Sequence, residues 1–130
     1  MILLDTHICW WLAYEPKKLS VRARKAIQFE EHQPGALALS SASLYELTWL
    51  LERKRLAISV DVDEFIREIQ LRFLVFPIDQ NIAVSAARLP APFHGDPMDR
   101  LIMATALESS RTLITADEAI LTSGLCQTLW

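Results

Sequence analysis

The sequence predicts an α/β fold: a three-layer α/β/α domain around a mostly parallel central sheet of about four to five strands. Short unbroken apolar runs, such as Met1–Leu4 and Ala36–Leu39, have the composition of strands covered on both faces. Longer amphipathic segments with capping residues lie between them, and strands that alternate with helices pair in parallel through crossovers. The domain count follows from length: 130 residues with no repeat, linker or low-complexity stretch make one domain, residues 1–130. A chain of this size buries about two-thirds of its unfolded surface, and 52% apolar residues supply the core.

The first strand ends at Asp5, and Thr6–Tyr14 reads as a helix stopped near Pro16. Ser20 is placed to cap a helix reaching about Glu31, with Ala23, Ala26 and Ile27 on one stripe. Gln33-Pro34-Gly35 breaks the chain before the second strand. Ser43 and Glu46 have capping-box spacing, predicting a helix that starts there and closes at Arg53-Lys54-Arg55, where cations suit the negative helix end. Asp61 and Glu64 repeat the box ahead of Phe65, Ile66 and Ile69. Phe73–Ile78 is a third strand and Asn81–Arg88 a short helix. A proline loop from Leu89 to Gly95 leads to a helix with Asp96 as N-cap and Pro97 in its first turn. Thr112–Thr115 is a fourth strand, Asp117 caps a short helix to Gly124, and Cys126–Trp130 supplies a fifth strand.

Inventory excludes several functions. The charge balance is 13 basic against 16 acidic residues, net −3, so the chain is no general polybasic nucleic-acid binder. Basic residues are nonetheless clustered at Lys17–Lys25 and Arg53–Arg55, which read equally as phosphate-attracting patches or as solvated helix surface. Three glycines, at 35, 95 and 124, cannot write a dinucleotide fingerprint or a phosphate loop. Cys9 and Cys126 form no CxxC pair and read as buried reduced thiols, as expected in the cytoplasm. His7, His32 and His94 lack zinc-ligand spacing. The N-terminus has no basic region ahead of its apolar run, and Ile8–Tyr14, the longest such run, is far too short to span a membrane. Trp10 and Trp11 are adjacent and cannot share a helix face, so packing is favoured over base stacking for them.

What remains is a set of carboxylates in one kind of place. Asp5 ends the first strand, Glu46 follows the second, Asp96 and Asp99 open the helix after the proline loop, and Asp117 follows the fourth strand. Strand ends and the helix starts that follow them share one edge of a parallel sheet, where open α/β folds place their sites. Singly, Glu46, Asp96, Asp99 and Asp117 are explained as caps or helix-dipole partners. Together they would repel one another unless protonated or neutralised, and an all-oxygen set selects a hard cation, Mg²⁺ or Mn²⁺. Carboxylates with metal and no protein nucleophile suit phosphodiester hydrolysis.

Four segments carry a resemblance: Met-Ile-Leu-Leu-Asp5-Thr6-His7, Ser43-Leu44-Tyr45-Glu46, Gly95-Asp96-Pro97-Met98-Asp99-Arg100-Leu101-Ile102 and Leu113-Ile114-Thr115-Ala116-Asp117. In this order and spacing the chain resembles PIN-domain proteins, and among them the VapC-type ribonuclease toxins of type II toxin–antitoxin systems. The resemblance implies a Mg²⁺- or Mn²⁺-dependent endoribonuclease, homodimeric and restrained by a cognate antitoxin. It assigns Asp5, Glu46 and Asp99 as the core catalytic and metal-binding acids and Asp117 as a fourth. Asp96, Thr115 and Thr6 are accompanying positions. Ala116 departs from the pattern, since many relatives carry a charged residue there. Met98 replaces the usual Phe with similar volume. Two other readings are a PIN-like scaffold that binds without cutting, and a haloacid-dehalogenase-type phosphatase with Asp5 as nucleophile. The latter requires a second acid where His7 stands.

Overall fold

Five strands form one sheet in the order β3-β2-β1-β4-β5, every neighbouring pair parallel. The structure, a computed structural model, describes residues 1–56, 58–90 and 96–130. Along the chain run β1 (Ile2–Leu4), α1 (Thr6–Tyr14), a 3-10 turn (Pro16–Lys18), α2 (Val21–Glu30), β2 (Leu37–Ser40), α3 (Ser41–Glu52) and α4 (Val62–Arg72). They are followed by β3 (Leu74–Phe76), α5 (Gln80–Arg88), α6 (Pro97–Glu108), β4 (Thr112–Ile114), α7 (Glu118–Ser123) and β5 (Thr128–Leu129). The predicted alternation of strands and helices therefore holds, and the sheet is wholly rather than mostly parallel. Beyond Pro90, the predicted proline loop lies outside the described residues.

Alternation along the strands divides the core in two. Ile2, Leu4, Leu37, Leu39 and Ile114 face one side and pack with Ile8, Ala23, Ile27, Leu47 and Phe65 from α1–α4. Leu3, Ala38 and Leu113 face the other and meet Ile102, Met103 and Ala106 of α6 and Ile120 of α7. Helices on both faces explain why the strands read as continuous apolar runs.

Helix starts follow local chemistry, with one correction. Ser20 Oγ accepts from Ala23 N–H at 3.0 Å and Asp61 from Glu64 N–H at 3.0 Å, as their spacing predicts. Asp79, which the sequence reading passed over, caps α5 by accepting from Ile82 N–H at 2.9 Å. The Ser43–Glu46 capping box does not form. α3 begins earlier, with Ser40 as N-cap accepting from Ala42 N–H at 3.2 Å. Ser43 is buried inside the helix and accepts from Thr6 Oγ1 instead, at 3.1 Å. A strand that runs straight into a helix gives the cap to its own last residue. Cys9 is buried as predicted, whereas Cys126 is half-exposed just before β5. Burial pushes the Cys9 thiol up to about 12, so it is no nucleophile.

The topology fixes where a site can form. β2 and β3 extend the sheet on one side of β1, and β4 and β5 extend it on the other. Chain direction across the sheet reverses between β1 and β4, and at such a point the following connections diverge and leave a crevice.

At the opposite, N-terminal edge, Arg111 is buried, a residue the sequence reading did not single out. Its guanidinium donates to the carbonyls of Ala36 (2.9 Å), Gly35 (2.9 Å) and Ile2 (3.4 Å), tying β1, β4 and the entry to β2 together. Arg111→Met keeps the stem but leaves these carbonyls without their charged donor. The variant is expected to lose about 2–3 kcal/mol in denaturant unfolding while the distant acid edge stays intact. A loss below about 0.5 kcal/mol, the range of an ordinary surface change, would show that the clamp is dispensable.

Candidate active site

Asp5 leaves β1 at the switch point and is almost fully buried, with 3% of its surface exposed. It is the N-cap of α1: Oδ1 accepts from Thr6 N–H at 2.7 Å. Its other oxygen, Oδ2, accepts from Thr115 Oγ1 at 2.6 Å. The Thr115 hydroxyl in turn accepts from Asp117 N–H at 3.0 Å. One hydroxyl thus couples the acid that ends β1 to the acid that follows β4. Asp117 also caps α7, accepting from Ile120 N–H at 3.0 Å.

His7 spans the same crevice. Its Nε2 accepts from Ala116 N–H at 3.1 Å, which assigns the proton of the neutral ring to Nδ1, and Nδ1 faces Asp5 Oδ2 at 3.6 Å. The ring also packs edge-on against Trp11, centroids 4.9 Å apart. In the sequence His7 lacks zinc-ligand spacing and belongs to the Asp5-Thr6-His7 segment of the resemblance, without a site role of its own. Its position two residues after a strand-ending Asp, on the first turn of the next helix, is the signal that places it here.

The remaining acids come from the other helices. Glu46 is half-buried in the second turn of α3 and has no capping duty, since the box that would have explained it is absent. Burial raises its pKa, and the charges of Asp5 and Asp96 raise it further. Asp96 is exposed and caps α6, accepting from Met98 N–H at 2.8 Å. Asp99 lies half-buried in the first turn of α6 and is the most perturbed acid of the set. Burial first, then the charges of Asp5, Asp117, Asp96 and Glu46, push it up to about 7. Arg100, next to it, reaches the end of α5 and donates to the carbonyls of Ala86 at 3.2 Å and Leu89 at 2.8 Å. That clamp ties the first turn of α6 to the end of α5; the resemblance marks Arg100 as part of its motif, but its carbonyl partners are visible only in the fold.

Five predicted acids therefore belong to one electrostatic unit, each on a different strand end or helix start apart from the Asp96–Asp99 pair. Coupling reaches further than ligation, however. Among the described residues, no three His, Cys, Asp or Glu side chains stand close enough to hold one ion as a ready-made group. Like-charge repulsion and the separate hydrogen bonds of Asp5, Asp96 and Asp117 keep the carboxylates apart. Such a donor set still fits a small hard cation, because Mg²⁺ keeps most of its waters and takes only one or two carboxylates directly.

Comparison with known proteins places the fold in a family. The PIN domain matches residues 2–122. The chain belongs to the PIN-domain family. Ribonuclease VapC22 of Mycobacterium tuberculosis (strain ATCC 25618 / H37Rv) is 35% identical over 119 residues, covering 92% of this chain and 88% of that protein. The fold also superposes on solved structures at low identity. One is VapBC2 of Rickettsia felis bound to a DNA fragment from its promoter: TM-score 0.76, 16% identity, covering 100% of this chain and 99% of that one. Another is a toxin-antitoxin complex from Klebsiella pneumoniae: TM-score 0.70, 20% identity, covering 100% of this chain and 97% of that one. VapBC-1 of nontypeable Haemophilus influenzae gives a TM-score of 0.65 at 21% identity, covering 99% and 97% of the two chains. In this PIN domain the sheet topology is thus shared with solved relatives, and the acids described above lie at its β1/β4 switch point.

The raised pKa of Asp99 makes stability depend on pH. Without metal, the folded chain holds the Asp99 proton up to about pH 7, whereas the ordinary carboxyl value is 3.8. The folded state therefore binds more protons than the unfolded state in that window, and stability falls as pH rises through it. Glu46 shifts the same way. In EDTA, Asp99→Asn is expected to melt higher than wild type at pH 7 and to show a flatter pH profile between pH 4 and 7. An unchanged profile, or a lower melting temperature at pH 7, would contradict the repulsion account.

Proposed function

We propose that this PIN domain is a divalent-metal-dependent endoribonuclease that hydrolyses RNA phosphodiester bonds, acting as the toxin of a toxin–antitoxin pair. The observation that carries the reading is the crowding of four elements' acids at one switch point, with Asp99 held at about 7 by burial and by its acidic neighbours. A half-buried carboxylate whose charged form is disfavoured by burial and by neighbouring acids is poised to take a cation. Family membership and the 35% identity to Ribonuclease VapC22 support RNA as the substrate.

Asp5 and Asp99 would be the principal ligands of Mg²⁺ or Mn²⁺, with Asp117 completing a second, weaker position. The ion, when bound, would supply Lewis acidity and offset the charge that develops on the phosphate. Glu46, free of any capping bond, would bind the ion or orient the attacking water as an acceptor. Thr115 holds Asp5 and Asp117 in register through its hydroxyl, and Thr6 fixes one Asp5 oxygen with its N–H and reaches α3 through Ser43. Asp96 contributes charge from the α6 cap, which is a sufficient role for it. A non-catalytic scaffold would have no need of a complete acid set. A phosphatase built on Asp5 would need an acid at position 7, where His7 is instead committed to Ala116 N–H.

One solved neighbour is a toxin-antitoxin complex and another is VapBC2 bound to a promoter DNA fragment, and for this chain we propose a cognate antitoxin and a homodimer. Exposed apolar residues such as Phe29 (73%), Leu71 (84%) and Val84 (46%) supply surface for such contacts. No helix among the described residues is long and apolar enough to cross a membrane, and the proposed place of action is the cytoplasm.

Cleavage of RNA is expected with Mg²⁺ or Mn²⁺ and not in EDTA; the same products in both would remove the metal from the mechanism. Glu46→Gln is expected to lower kcat by about 10²-fold or more, the usual weight of a positioned acid or base, without lowering the melting temperature. Full activity in that variant would leave Glu46 a bystander. An antitoxin arginine would pair with Asp5 or Asp99 and compete with the ion for the same oxygens. Inhibition is then expected to weaken as Mg²⁺ rises, and potency indifferent to Mg²⁺ would refute competition.

A further inference from the structure

Beside the acid edge, α1 and the end of α3 enclose a groove of about 340 Å³, the size of a small-ligand pocket. Thr6, His7 and Glu46 form its end at the acids. Lys18 and Arg55, both exposed, stand elsewhere along its lining, and Trp11 forms part of the wall. Trp11 is held from several directions. It packs on Trp130 at 5.9 Å and on the His7 edge at 4.9 Å, and Lys18 Nζ sits 5.6 Å from its ring centroid. Lys18 is also paired with Glu15 at 2.9 Å, the other carboxylate of the groove. That pair is solvent-exposed and worth little, so a phosphate can compete with Glu15 for the ammonium.

We propose that this groove is the subsite for an unpaired nucleotide flanking the bond to be cut, its phosphate held by Lys18 and Arg55 and its sugar or base lying along Trp11. This rests on the ribonuclease reading and adds to it where the strand runs. The argument is continuity with charge complementarity. A polyanion whose scissile phosphate lies at Asp5, Asp99 and Glu46 must leave the crevice, and repulsion from the acids makes a cationic exit favourable. The groove shares Glu46 with the acid edge and carries two exposed cations and an aromatic wall, the combination that binds single strands without sequence readout, while its second carboxylate, Glu15, is paired with Lys18. It is too small for a duplex. The α2 cations Arg22, Arg24 and Lys25 line no part of it.

The test separates binding from cutting. Anisotropy of a fluorescein-labelled, 2′-O-methylated single-stranded RNA, which cannot be cleaved through its 2′-hydroxyl and is kept in EDTA, reports binding alone as salt is varied. The double variant Lys18→Glu/Arg55→Glu is expected to bind at least tenfold more weakly, and Lys18→Ala and Arg55→Ala each to lower the slope of log K against log salt by about 0.7. Arg22→Glu/Lys25→Glu makes the same change in net charge outside the groove and is expected to bind within twofold of wild type. On cleavable RNA with Mg²⁺, the groove variant is expected to raise KM more than it lowers kcat. If wild type cuts RNA and the groove pair matters no more than the α2 pair, the subsite is refuted while the ribonuclease reading stands. If the groove variant binds RNA normally but escapes the antitoxin, the groove belongs to the protein partner and the proposal is likewise wrong. Failure of wild type to cut any RNA with either metal overturns the ribonuclease reading, and the subsite with it.

Discussion

Repulsion among carboxylates at the β1/β4 switch point is the constraint on which the site depends. Asp5 cannot move away from it: one oxygen caps α1, the other is held by Thr115, and the strand behind it is buried on both faces. With Asp5 fixed, Thr115 fixes the turn that carries Asp117, and His7 pins the same turn through Ala116 N–H. Asp99 is then half-buried against an edge already charged, and its pKa records the cost of burial first and of repulsion second. A fold optimised only for stability would place a neutral residue there. The arrangement has the form of stability given up for a cation-binding edge, the usual relation between active sites and strain.

Much of the fold was legible in sequence because its signals are local. Apolar runs ending in Asp5, Ser40 and Thr115 mark strands covered on both faces, and Ser20, Asp61, Asp96 and Asp117 announce helix starts by side-chain chemistry. What local patterns could not decide was which of two competing caps wins. Ser43 and Glu46 have capping-box spacing, but Ser40 lies three residues earlier at the end of β2 and takes the cap. The tertiary demand for a helix starting straight from the strand overrode the motif. That error concealed something useful, since without the box Glu46 has no structural duty left to explain its charge.

The interactions that were not legible join residues distant in sequence. Arg111 reaches carbonyls 75 and 109 positions away, and the buried hydroxyls of Ser40 and Thr105 meet across 65. Neither has a sequence signature, because each exists only once the β1–β2 and β1–β4 registers are set. Thr115 was marked by the resemblance as a hydroxyl beside an acid, but its partner, Asp5 across 110 positions, is fixed only by the fold. The candidate acids were visible as a group for the opposite reason: parallel topology alone sends every strand end to one edge. Their individual environments, such as a tied Asp5, an uncapped Glu46 and a strongly perturbed Asp99, required the packed structure.

The central claim is that this edge is short of one positive charge and is completed by a divalent cation. Calorimetric titration of Mg²⁺ into the metal-free protein at pH 6.5, in buffers of differing ionisation enthalpy, tests it directly. Asp99, held at about 7, is then mostly protonated, so binding should release a substantial fraction of one proton and the observed heat should vary with the buffer. The release should vanish in Asp99→Asn. Heats that do not depend on the buffer, or no Mg²⁺ binding at millimolar concentration, would contradict the account.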